Sequence, residues 1–155
     1  MIPLNELTIS TDEFDAPRLL SHWAWRVPQH LQPLFLSKFG DWFLRDTEDR
    51  IQMLDLVAGE LKQVADSRAE FEALLELEDY QREWLMSHLV EQLRQSGMAP
   101  ARGQCYAFRT PLMLGGQLSP SNVVVWELAA YQSGTSKVHQ QVGGLPPGTE
   151  VVIRP

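Results

Sequence analysis

The sequence is short of cysteine: its 155 residues include only Cys105. An internal disulfide is therefore impossible, and the composition suits a reducing compartment, so a cytoplasmic location is expected. Long apolar runs are also lacking, which excludes a membrane-spanning helix. The N-terminus "MIPLNELTISTDEFDAP" is mixed and acidic rather than basic and then apolar, unlike a secretory signal. The four histidines (His22, His30, His88, His139) form no His-x-x-x-His pair, and no Cys-x-x-Cys occurs. No metal or other cofactor is expected on that basis. Gly115-Gly116 lacks the following Lys-Ser/Thr of a phosphate loop, and Gly-x-Ser-x-Gly is absent. Basic residues are few and scattered, which argues against nucleic acid as a partner.

What the chain does have is enough apolar material for a core. Hydrophobic residues make up 44 %, which argues against disorder, and the length predicts a single domain over residues 1–155. The net charge of -7 is unevenly spread. Residues 41–80 hold twelve Asp or Glu against four Lys or Arg, so that quarter carries all of the excess negative charge. Such a field repels nucleic acid and attracts basic partners, although a plain solubilising face has the same look.

The pattern along the chain predicts an α+β fold: a mainly antiparallel sheet packed with two to four helices. A first helix is expected near 15–24, capped by Asp15, with Pro17 in its first turn and Leu19, Leu20 and Trp23 on one side. Residues 34–65 read as a meander, in which "LFLSKF", "DWFLR", "IQMLDL" and "ELKQVA" are separated by Gly40, "DTED" and Ala58-Gly59. Ser67 opens a helix whose inner face is Phe71, Leu74 and Leu75. A second helix over about 80–96 carries Trp84, Leu85, Leu89 and Leu93 and ends at Ser96-Gly97. "QCYAF" suits a short strand, and "NVVVWELAAY" suits a long central strand covered on both faces. "GTSKVHQQV" suits a short helix with Val138 and Val142 inward, "GGLPPGTE" a turn and "VVIRP" a last strand.

Few residues invite a chemical role. His88 lies on the flank of an apolar stripe, where a histidine satisfied at the core edge is the simpler reading. Cys105, between apolar neighbours, reads as packing rather than as a nucleophile. Asp41, Asp55 and Glu60 on the meander offer carboxylates for acid–base work or a divalent ion, but no spacing requires either. The tryptophans read mostly as core, with Trp25 in "HWAWRVP" partly exposed and suited to anchor an interface. No catalytic residue is expected, and the residues alone lead no further than a soluble, acidic, globular domain of mixed helix and strand.

The motifs "FGDWFL", "IQMLDLVAGELKQVADSRAEF", "WLMSHLVEQLRQSG", "GQCYAFRTPLMLGGQLSPSNV" and "VHQQVGGLPPGTEV" occur in an order and spacing that carry a resemblance. Over roughly residues 15–152 the chain resembles the Tdi-type type VI secretion immunity protein C-terminal domain family. Leu112 stands where the family's loop usually has a second proline. Larger members carry an added N-terminal GAD-like domain, for which this chain has no room. The resemblance implies a mixed α+β fold and a non-enzymatic bacterial immunity protein that binds and blocks a cognate, DNase-like toxin effector. Glu72, Glu76 and Asp79 on the acidic segment, with Trp25 and His139, are the candidate partner-binding residues, and a monomer or weak homodimer is expected. An alternative is a small-ligand or peptide-binding module with a groove near Trp25, the 111–116 loop and His139.

Overall fold

The computed structural model describes residues 2–143. Five antiparallel strands form the main sheet: β1 (Thr8–Ser10), β2 (Gln32–Ser37), β3 (Trp42–Arg45), β4 (Ile51–Asp55) and β5 (Glu60–Ala65), in that spatial order. The expected meander is β2 to β5, and β1 is an addition that pairs Ile9 with Leu36. Helix α1 (Ala16–Leu20) begins as expected, with the Asp15 carboxylate accepting from the Arg18 N–H and Pro17 in its first turn.

Helices cover both faces of the sheet, which explains the burial of β3. Phe43 points to one side with Phe71, Trp84, Leu89 and Leu93, from α2 (Arg68–Leu75), α3 (Glu78–Leu85) and α4 (Ser87–Gln95). Trp42 and Leu44 point to the other side, with Trp23, Leu36, Leu54 and Leu128. Each fully buried Leu or Phe among these contributes roughly 1.5–3 kcal/mol.

The sequence predicts one helix over 80–96, but α3 and α4 are separate. Met86 adopts φ 51° between them, and its N–H closes α3 on Arg82. A left-handed methionine leaves no mark in hydrophobic periodicity. The α+β class holds, with five α-helices among the described residues.

"NVVVWELAAY" is not a long central strand. β7 (Val123–Glu127) is short and pairs with β6 (Gln104–Phe108) in a separate two-stranded sheet. From Leu128 the chain turns into the 15-residue helix α5 (Leu128–Val142). Leu128, Ala129 and Ala130 are strong helix formers, and they end the β-branched run. The strand pair joins the main sheet through the Tyr106 N–H, which donates to Lys38 O at 2.8 Å, and through Phe39 stacked on Phe108. The short helix expected at "GTSKVHQQV" is the second half of α5. Its buried stripe is Leu128, Gln132, Ser136 and His139 rather than Val138 and Val142. The expected turn from Gly144 and the "VVIRP" strand lie outside the described residues.

After Leu128 that stripe is polar, and each of its polar members has a hydrogen-bond partner. Gln132 Oε1 accepts from Trp23 Nε1 at 2.7 Å and from Trp42 Nε1 at 2.9 Å. Gln132 Nε2 donates to Gly40 O at 2.8 Å. Ser136 Oγ accepts from Trp25 Nε1 at 2.7 Å and donates to His22 O at 2.6 Å. His139 Nε2 donates to Leu56 O at 2.6 Å. Its ring lies so close to Gly59 that a Cβ there would sit 2.5 Å from it, and Gly59 also has φ 68°. Only glycine satisfies both conditions.

Gln132→Leu preserves size but strands two buried indole donors and the Gly40 carbonyl. A loss of roughly 2–4 kcal/mol is expected, read as a lower urea midpoint with an unchanged slope. A loss below about 0.5 kcal/mol, within the range of ordinary surface changes, would contradict this account of α5 docking.

Candidate partner-binding surfaces

Two surfaces stand out, on different helices. The first is the outer side of α2 and α3. Phe71 and Leu75 face the core, so Glu72 and Glu76 face water one turn apart. Ser67 starts α2 as expected by accepting from the Glu70 N–H at 3.1 Å. The α2–α3 corner is fixed from inside by buried Gln81, whose Nε2 donates to Leu75 O at 2.7 Å. That corner holds Glu76, Leu77, Glu78 and Asp79 in the open, with Leu77 52 % exposed. Glu72 pairs with Arg68 and Glu78 with Arg82, both across solvent. Among the described residues Glu76 and Asp79 have no ion-pair partner. The result is an acidic ridge with an apolar residue at its centre.

The second surface is a groove of about 340 Å³ between α5, the β6–β7 pair and the 109–113 segment. Its walls include Leu56, Phe108, Met113, Trp126, Tyr131 and Val138. Arg109, Lys137 and His139 supply its nitrogen groups, and no Asp or Glu lines it. Asn122 fixes the loop that forms one wall: its Nδ2 donates to Thr110 O and Gln117 O, and its Oδ1 accepts from the Thr110 N–H. Gly116 closes the same loop, because a Cβ there would overlap the Thr110 carbonyl. The Gly-Gly loop is thus an architectural crossing whose outer side, with Met113, Leu114 and Leu118 exposed, borders the groove.

The structure places the five expected contact residues in three settings. Glu72, Glu76 and Asp79 share the ridge. Trp25 is 38 % exposed, stacked on Trp23 with Arg26 over its ring, and it is outside the groove lining. His139 lines the groove but is only 5 % exposed, its ring committed to Leu56 O. The groove therefore joins the 111–113 loop to His139 and leaves Trp25 out. Trp126, read as core from the sequence, is instead 54 % exposed on the groove wall. Its place at the end of β7, beside exposed Glu127, is the one sequence sign that β7 finishes at a surface. His88 is exposed rather than at a core edge.

The residues weighed for chemistry are held in structural roles. Cys105 is fully buried, and burial, reinforced by nearby Asp41, pushes its thiol up to about 12, so it stays protonated at neutral pH. Asp55 caps the following turn through the Val57 N–H and pairs with Lys62. Glu60 is exposed opposite it. Among the described residues no three His, Cys, Asp or Glu side chains converge as a metal site.

Asp41 is buried, accepts from Ser37 Oγ and the Leu56 N–H, and is pushed up from 3.8 to about 6 by desolvation and then by the charge of Asp55. The folded state therefore holds this proton more tightly than the unfolded chain does. Its stabilising effect is full below 3.8 and is lost as pH rises through about 6. Asp46 and Asp49, lowered by their bonds to Arg50 and Arg68, act in the opposite sense and below 3.8. Asp41→Asn should flatten the fall in urea midpoint between 3.8 and about 6 that the wild type shows. An equal slope in both proteins would contradict the assignment.

Comparison with known proteins adds the following. No curated protein matches the chain. Among the described residues no helix is long and apolar enough to cross a membrane. The span from the end of β5 through the ridge, α4, β6, the crossing loop and β7 into α5 has a family match. It is shorter than the 15–152 stretch over which the motifs run. Residues 65–133 match the family model described as T6SS immunity protein Tdi1, C-terminal, the same family that the ordered motifs resemble.

Proposed function

We propose that this protein is a single-domain, non-enzymatic immunity protein that acts in the cytoplasm. It neutralises a cognate, DNase-like type VI toxin by direct binding, as a monomer or weak homodimer, without cofactor, nucleic acid or membrane. The observation that carries this reading is the acidic ridge of Glu72, Glu76 and Asp79 lying inside the family-matched span. A nuclease that grips phosphates presents Lys and Arg, and an exposed acidic ridge, with Glu76 and Asp79 free of ion pairs among the described residues, complements that surface. Leu77 at its centre gives an apolar contact that charge alone lacks.

Charge complementarity acts mainly on the encounter rate. Glu72→Lys/Glu76→Lys/Asp79→Lys should therefore slow association with the cognate toxin about 10-fold or more at low salt and leave the melting temperature within a few degrees. In co-expression, the triple variant should protect less well against the toxin than wild type. Unchanged association at low salt would move the interface off the ridge, and a wild-type protein that does not bind the toxin would overturn the function itself.

A further inference from the structure

The groove beside α5 is separate from the acidic ridge, and its chemistry has the opposite sign. We propose that it is a binding site for a small amphipathic carboxylate, with the apolar tail in the groove and the anionic head between Arg109 and Lys137. Three observations support this. Its walls are apolar and aromatic, with Phe108, Trp126 and Tyr131 among them, and its volume of about 340 Å³ is that of a small-molecule pocket. The chain carries -7, yet no acid lines this groove, and its two full cations are exposed and have no ion-pair partner among the described residues. Gly134 sits in the interior of α5, where glycine weakens a helix. It faces the groove, and a Cβ there would meet nothing within 4 Å. A larger residue at 134 would improve the helix and fill the groove, so the glycine preserves the space.

The concave shape favours a small molecule over a flat protein contact. The unopposed cations select its head, because a carboxylate forms hydrogen-bonded ion pairs with Arg109 and Lys137, whereas a neutral alcohol has no charge to pair and an ammonium is repelled. His139 is already bonded to Leu56 O and serves as a wall.

The test is calorimetric titration of the full chain with decanoate, decanol and decylammonium, with amide NMR to locate the contact. Saturable one-to-one binding of decanoate, at least ~10-fold tighter than decylammonium, with shifts centred on Arg109, Trp126 and Lys137, is expected. Arg109→Ala/Lys137→Ala should remove the preference for decanoate over decanol. Gly134→Leu, which blocks the space without disturbing a packed side chain, should abolish binding while keeping or raising the melting temperature. The proposal is overturned if decanoate fails to saturate, if decylammonium binds equally well, or if Gly134→Leu binds as wild type does. It is also overturned if the groove resonances shift with protein concentration alone, which would make a second copy the occupant. Toxin binding enters none of these readouts, so this proposal and the immunity reading fail separately.

Discussion

The side-chain amide of Gln132 is the interaction on which the rest of the fold is hung. One oxygen accepts from the indoles of Trp23 and Trp42, and the nitrogen of the same amide donates to the Gly40 carbonyl. These three partners come from the N-terminal helical segment, from the centre of the sheet and from the β2–β3 turn. In a site with no water access each of these bonds is strong, and each would be expensive to leave unmade. Asp41, the next residue in that turn, ties it in turn to Leu56. His139, two helical turns beyond Gln132, reaches the Leu56 carbonyl from the other side. The β2–β3 turn and the residues after β4 thus form a seat into which α5 locks by hydrogen bonds along most of its length, with Leu128 and Tyr131 as its apolar contacts.

That choice of chemistry explains what was legible in the sequence. The meander could be read because its strands are short, β-rich and separated by turn residues, and α2 because Ser67 marks its start. Helix α5 was legible only in its second half, and with the wrong buried face, because the reading follows apolar residues and the buried stripe after Leu128 is Gln132, Ser136 and His139. Val138 and Val142, which do follow a helical spacing, point elsewhere. The break at Met86 was invisible for a different reason: a non-glycine residue in a left-handed conformation is fixed by tertiary packing, not by local preference.

The two surfaces divide in the same way. The acidic ridge was visible as a charge imbalance, since neighbours in sequence become neighbours on two short helices. The groove was only half visible. The crossing loop and His139 were expected to meet, but Trp126 was taken for core and Arg109 and Lys137 stood out in no way. Their walls come from segments near 56, 108, 112, 126 and 137, brought together by the docking of α5. Among the described residues charge is segregated, with Glu76 and Asp79 unpaired at the α2–α3 corner and Arg109 and Lys137 unpaired at the groove.

The central claim is that the ridge, held out by a rigid core, is the face that meets a basic toxin. Amide hydrogen exchange on the protein alone and in complex with its cognate toxin tests it most directly. The account predicts slowed exchange concentrated in the α2–α3 corner around Glu76, Leu77 and Asp79, with the sheet core unchanged. Protection confined to other surfaces, with the α2–α3 corner exchanging as fast as in the free protein, would contradict it.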